Sequence, residues 1–327
     1  MGIARDAGRA NDSARTPSLA GRDGTIRPCE PFDDRPAVTR ARALAAVHAA
    51  VLLFGFAGLF GRWLELSPVA IVLGRTAIGA AALAVVRWQA GRERPPLDLR
   101  LLANGAVLAL HWVAFFAAIQ AAGVAIGLLG FASFPLFVLI LERAMLGRRW
   151  SGREAVTALC VVAGIALLVP EPSFANKTVQ GLAWGLVSGF TFALLAVLNR
   201  RYSATRGAVD IAFWQNLFAA LILLPFAAGD SAALGSIGAR EIALLLVLGL
   251  FCTALAHTLF IAALSRLSAH TASTVAALEP VYGIALAALL LGEIPGLRVL
   301  AGGALIVGAA LAATRRGMTV GEQQANR

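Results

Sequence analysis

The chain has 327 residues, of which 59% are apolar and only 14% charged, with a formal net charge of +10. A water-soluble domain carries about 25% charged residues, so this composition excludes an ordinary soluble enzyme and reads as a membrane protein. The basic residues sit between apolar runs rather than along one stripe, which points to lipid headgroups as their partners and argues against nucleic acid.

Residues 1–42 are rich in Gly, Ser, Pro, Asp and Arg. Without apolar periodicity, they are expected to form a flexible basic tail rather than a signal peptide. Apolar runs then follow at 43–61, 67–88, 100–121, 123–141, 153–170, 180–198, 210–228, 241–262, 268–291 and 297–314. A helix rises about 1.5 Å per residue and needs about 20 residues to cross the hydrocarbon layer, whereas a transmembrane strand needs only about 9 to 11. Runs of this length mean helices. Most of the 28 basic residues fall in the tail and in alternate connections. Arg62, Lys177, Arg240 and Arg298 lie on the other side, and Arg75 lies inside a helix. By the positive-inside rule both termini are cytoplasmic. The expected fold is therefore an all-α polytopic membrane protein of ten transmembrane helices. Its cysteines, Cys29, Cys160 and Cys252, have no ligand spacing, so neither a disulfide framework nor a metal site is expected, and no cofactor is implied.

The chain repeats itself. At an offset of 145, Pro135 falls on Pro280 and AAIQAAGVAIGLLGFASFP lies over AALSRLSAHTASTVAALEP. His111 and His257 pair at 146, AGIALLV lies over VGAALAA at 144, and VAIVLGR ending at Arg75 lies over VDIAFWQ ending at Gln215 at 140. The expected domains are a first five-helix repeat at 43–170, an external linker at 171–179, a second repeat at 180–314 and a cytoplasmic tail at 315–327. Five crossings per repeat invert the second half relative to the first, the arrangement that gives alternating access around a midplane site.

Glu279–Pro280, Gly292–Glu293 and the Gly-rich last run, together with Arg75 in the second helix and FASFP through Pro135, resemble the drug/metabolite transporter superfamily in its EamA branch. The resemblance covers about residues 43–314, and it implies movement of amino acids and related metabolites, mostly outward, or of sugars and drugs. The first half departs from the pattern, with Phe134 where the second half has Glu279, and Arg148 near the place of the loop Glu293.

Candidate site residues follow from what is costly in a membrane. A charge at mid-helix costs at least about 2.5 to 3.5 kcal/mol, so Arg75 must face the bundle, to hold a substrate carboxylate or to pair with an acid or backbone carbonyls. Glu279 could accept a substrate amine, take up a proton, or sit neutral and hydrogen-bonded. His111 and His257 can line a path or join helices. Trp112, Phe116, Trp214 and Tyr282, with Phe54, Phe56, Trp184 and Phe190, could form an aromatic box or simply pack. Gln120, Gln215, Asn104 and Asn216 offer polar contacts. Pro135 and Pro280 are expected to bend the fourth and ninth helices and help gate. No phosphate loop or catalytic triad is specified, so the expectation is a carrier rather than an enzyme. It would be a bacterial inner-membrane exporter of small metabolites, foremost amino acids including aromatic ones, able to act as a monomer. The alternatives are a sugar, nucleotide-sugar or cationic-drug carrier, or a membrane scaffold.

Overall fold

The structure, a computed structural model, describes residues 40–91, 99–146, 152–169, 173–203, 205–229, 235, 237–264, 266–267, 272 and 275–315. Residues 1–39 of the tail, Arg148 and most of the 268–274 segment lie outside the described residues. The described residues belong to one compact unit.

All regular structure among the described residues is helical: α1 (Arg40–Trp63), α2 (Pro68–Gln89), α3 (Leu99–Phe131), α4 (Phe134–Leu146), α5 (Gly152–Leu168), α6 (Lys177–Ser203) and α7 (Ala208–Ala228). Then α8 (Ala239–Gly249) runs through a π-helical turn (Leu250–Leu255) into α9 (Ala256–Leu264), followed by α10 (Glu279–Leu291) and α11 (Leu297–Arg315). Local chemistry sets several ends. Ser67 Oγ accepts from the Ala70 amide at 3.3 Å, with Pro68 at the first helical position of α2, where a missing N–H costs nothing.

Six helices are long and apolar enough to cross a membrane, and α5, α10 and α11 are shorter apolar helices. The longest of these apolar stretches, Leu99–Leu141, covers α3 and the start of α4 in 43 residues, enough for about two crossings at roughly 1.5 Å per residue. It folds back at Gly123, whose φ of 85° and ψ of 170° are open to glycine and strained for other residues. A Cβ on Gly127 would lie 3.0 Å from the Ile119 amide nitrogen, so the two arms pack backbone to backbone across the turn. Large apolar side chains such as Val86, Leu159, Leu224 and Leu289 point outward and are about half exposed or more, the surface that lipid rather than water covers.

Helices α4 and α10 each have 13 residues, and each begins one residue before a proline. A two-residue turn, at 132–133 and at 277–278, precedes each of them. The prolines sit in the first turn of a new helix, where no N–H is needed, and the chain is interrupted there rather than bent. Contacts between helices come in exchange pairs when α1 to α5 are swapped with their counterparts in the second half. Thus α2 packs on α7 and α5 on α11, counterpart against counterpart; α3 on α7 matches α2 on α8 and the π-helical turn, and α4 on α6 matches α1 on α10. Small residues allow the closest crossings: a Cβ on Gly55 would sit 2.9 Å from the Gly283 amide nitrogen, and one on Gly185 2.8 Å from the Gly130 Cα. In a bilayer such approaches supply the dispersion contact that drives helix association.

Candidate functional site: a buried cavity with one guanidinium and one carboxyl

Helices from both halves enclose a cavity lined by Arg75 of α2, His111 and Trp112 of α3, Asn199 of α6, His257 of α9 and Glu279 of α10. Its apolar wall is a set of phenylalanines, Phe54, Phe115, Phe131, Phe192 and Phe260. Ring pairs such as Phe131–Phe192 at 5.2 Å and Phe192–Phe260 at 5.8 Å between centroids lie in the range favoured by edge and tilted contacts. The cavity volume is about 30 Å³, room for about two waters.

Arg75 is 1% exposed. Its Nε donates to Thr253 Oγ1 at 2.9 Å and its Nη2 to the Cys252 carbonyl at 3.1 Å. Its guanidinium carbon lies 3.9 Å from the centroid of the Trp112 ring and 5.5 Å from that of Phe116, so a cation–π contact supplements two hydrogen bonds. The acceptors come from the π-helical turn. There the Ala256 amide donates to the carbonyls of Phe251 and Thr253, and the Cys252 carbonyl turns to Arg75. Such turns often mark sites where a helix gives up regularity for a specific contact. Glu279 is 3% exposed. Among the described residues it makes no hydrogen bond and no ion pair with Arg75, although both line the same cavity and Arg75 acts on it through space.

Behind His257 lies a chain of polar side chains crossing four helices. His257 Nε2 donates to Gln215 Oε1 at 2.7 Å, Gln215 Nε2 donates to Asn199 Oδ1 at 2.5 Å, and Asn104 Nδ2 donates to the same oxygen at 3.0 Å. All four residues are buried, so each bond spares a polar group from being stranded in a medium without water. His111 Nδ1 stands 2.9 Å from the Ser188 carbonyl and 3.0 Å from the Ser188 hydroxyl. A carbonyl only accepts, so Nδ1 carries the proton and Nε2 is left as an acceptor.

Of the residues singled out in the sequence, Arg75, His111, Trp112, His257, Glu279 and Phe54 meet at the cavity. Phe116 is fully buried beside Arg75, and Gln215 holds His257 from behind. Others lie elsewhere. Gln120 Nε2 donates to the Leu66 carbonyl at 2.9 Å, tying the end of the first arm of α3 to the α1–α2 connection. Trp214 stacks on Phe218 at 5.2 Å, Asn216 donates to the Ala212 carbonyl of its own helix, and Tyr282 packs beside Gly55. Phe56 makes edge contacts with Phe60 and Trp63. Trp184 and Phe190 are among the exposed apolar residues. Asn104 reaches the site only through Asn199.

Sequence reasoning passed over Phe115, Phe131, Phe192, Phe260, Asn199 and Thr253. For one pair the repeat carried the signal, because the same 145-residue offset that joins the prolines places Phe115 on Phe260. No group of His, Cys, Asp and Glu able to hold a metal ion occurs among the described residues.

The sequence matches the EamA-like transporter family over residues 41–169 and again over 179–315, once in each half. It is similar to the pseudopaline exporter CntI of Pseudomonas aeruginosa, 30% identical over 253 residues that cover 75% of this chain and 85% of that one. It is also similar to a probable terminal-alkyne amino-acid exporter of Streptantibioticus cattleyicolor, 26% identical over 295 residues that cover 85% and 91% of the two chains. A solved crystal structure shares the fold at a TM-score of 0.60 and 19% identity, over 84% of this chain and 98% of the other. With six long apolar helices among the described residues, lipid-suited outer faces and two matched domains, the protein is a multi-pass membrane transporter, and the chain belongs to the EamA-like transporter family.

Proposed function

We propose that the protein is an alternating-access carrier that exports small zwitterionic metabolites, amino acids with apolar or aromatic side chains first among them, across a bacterial inner membrane. The observation that carries this reading is the cavity's pairing of one guanidinium with one carboxyl. Arg75 and Glu279 are both buried and both line the cavity, yet they form no direct ion pair. A buried cation and a buried acid that do not neutralise one another are costly. A ligand bringing a carboxylate to one and an amine to the other removes that cost, with its side chain against the phenylalanine wall. The outward direction draws on relatives named as exporters of pseudopaline and of a terminal-alkyne amino acid.

Ten crossings, in two inverted five-helix repeats with both termini cytoplasmic, accord with the exchange-paired helix contacts and with the distribution of Arg and Lys. At about 30 Å³ the cavity is too small for an amino acid, so admission requires the helices around it to part. Saturable flux of Phe, Trp or Met into proteoliposomes, with Thr, Lys and Glu slower, is the expected outcome. Folded protein that moves none of the six overturns the substrate assignment.

In this topology the connections after α1, at Gly123 and after α10 share the external end, and they are latched together. Arg62 Nε donates to Glu293 Oε1 at 2.7 Å, and the Val124 amide donates to Glu293 Oε2 at 3.0 Å. One carboxylate thus joins α1 to the second arm of α3 at that end. The Arg62 side chain is 45% exposed, and a solvent-screened pair of this kind is worth about 1 kcal/mol at most, so the latch biases opening rather than forbidding it. Glu293→Gln is expected to raise labelling of a cysteine placed at Ala121 by an external, membrane-impermeant maleimide about two- to fivefold. The measurement uses a protein whose native cysteines are replaced by Ala. An unchanged rate removes the latch from the cycle.

A further inference from the structure

We infer that Thr253, presented by the π-helical turn, is a positioning residue that holds Arg75 off Glu279 and so keeps the two charges available for opposite ends of one substrate. The inference rests on the zwitterion reading above and adds a residue that touches neither substrate charge. Arg75 Nε donates to Thr253 Oγ1 at 2.9 Å, and that hydroxyl spends its own proton on the Leu248 carbonyl at 2.8 Å, five residues back. The hydroxyl oxygen therefore faces Arg75 only as an acceptor, the orientation a guanidinium needs. The Cys252 carbonyl takes Nη2 alongside it. Two acceptors from consecutive residues fix the plane of the guanidinium against the Trp112 ring.

The approach of α2 to the π-helical turn makes this grip possible. A Cβ on Gly79 would lie 3.0 Å from the Thr253 methyl carbon, and one on Gly249 3.3 Å from the Arg75 carbonyl oxygen. The two helices meet through glycines, which brings a short hydroxyl within reach of a side chain on the neighbouring helix. Without the hydroxyl, the strongest acceptor left for the guanidinium is the carboxyl of Glu279, which shares the cavity and accepts no hydrogen bond among the described residues. Arg75 and Glu279 then close on each other as a buried pair, and a zwitterion must break that pair to bind. Thr253→Val removes the hydroxyl at nearly constant volume, and Thr253→Ser keeps it.

The test is a double-mutant cycle between positions 253 and 279, read in two ways. Melting temperatures without substrate are measured for the wild type, Thr253→Val, Glu279→Gln and the double variant. Thr253 and Glu279 share no hydrogen bond, so additive shifts mean that no collapse links them and overturn the proposal. The expected result is a clear departure from additivity. Flux in proteoliposomes supplies the second reading, with phenylalanine for the wild type and Thr253→Val, and 3-phenylpropionate for the proteins that lack the acid. Thr253→Val is expected to raise KM for phenylalanine at least tenfold, to leave 3-phenylpropionate flux in the Glu279→Gln background within twofold, and to be rescued to within twofold by Thr253→Ser. An equal penalty in both backgrounds, or failure of Thr253→Ser to rescue, overturns the proposal. If the wild type moves no amino acid, the substrate reading falls alone, and the substrate-free melting cycle still decides the role of Thr253.

Discussion

Arg75→Gln is expected to lower kcat/KM for a carboxylate-bearing substrate by about 30-fold to several thousand-fold while the protein still folds. The figure follows from the environment. Truncating one partner of a desolvated, hydrogen-bonded charge pair costs about 2 to 5 kcal/mol, and each 1.4 kcal/mol is about tenfold. Arg75 is 1% exposed and shares its cavity with five phenylalanines, so little water screens what it binds. Its own protein contacts are a hydroxyl, a carbonyl and an indole face, none of which is an anion left unpaired by the change. A glutamine amide can still donate to Thr253 or Cys252, which is why the fold is expected to survive.

The same substitution separates binding from scaffolding. Were Arg75 only a clamp between α2 and the π-helical turn, Arg75→Gln would lower the melting temperature and leave KM of the remaining folded protein near its original value. Were it the carboxylate anchor, KM would rise with little change in melting temperature. Arg75→Lys is expected to lie between wild type and Arg75→Gln. It keeps the charge but loses the planar fork that contacts Thr253, Cys252 and Trp112 together. Flux against substrate concentration, paired with a melting curve for each variant, gives the answer.

What the sequence showed and what it hid divide along a physical line. Local signals were legible. The Ser67–Pro68 start of α2 and the apolar runs follow from backbone chemistry within a few residues, whereas Pro135 and Pro280 marked the right places but open new helices instead of bending continuous ones. The cost of charge in hydrocarbon was legible as well, and it singled out Arg75 and Glu279 without a structure. Contacts made across the repeat were not. Thr253 is one hydroxyl in an apolar run, and only the π-helical turn brings it to a side chain on α2. Asn199 stands next to two arginines in the sequence and reads as a helix end facing the headgroups, yet it is 3% exposed and receives bonds from Asn104 and Gln215. Aromatic residues were ambiguous for a related reason. Phe190 and Phe192 are two positions apart, on different faces of one helix. Phe192 lines the cavity and Phe190 is on the outer surface, and hydropathy does not distinguish them.

Glu279→Gln is expected to reverse the carrier's preference between an amino acid and its desamino analogue, with the ratio of phenylalanine to 3-phenylpropionate flux falling by at least about tenfold. An ammonium bonded to an amide oxygen forgoes the charge-assisted part of the contact, which is about half of its strength. The desamino acid, in turn, no longer brings a second negative charge near an acid in a medium of low dielectric. Glu279 opens α10 directly before Pro280, and Gly283, one turn on, packs against the backbone of Gly55 in α1. The carboxyl is therefore carried on backbone held at two points, and a substitution that keeps its shape changes its charge and little else. In the first half the corresponding position is Phe134, buried and stacked on Phe131 at 5.3 Å. The two repeats thus differ at this position, a ring in the first half and an acid in the second. Transport of both compounds by Glu279→Gln at the wild-type ratio would show that the acid does not read the amine, leaving it free for proton movement or for structure. A ratio that falls because 3-phenylpropionate flux rises, rather than because all flux is lost, assigns the amine contact to Glu279.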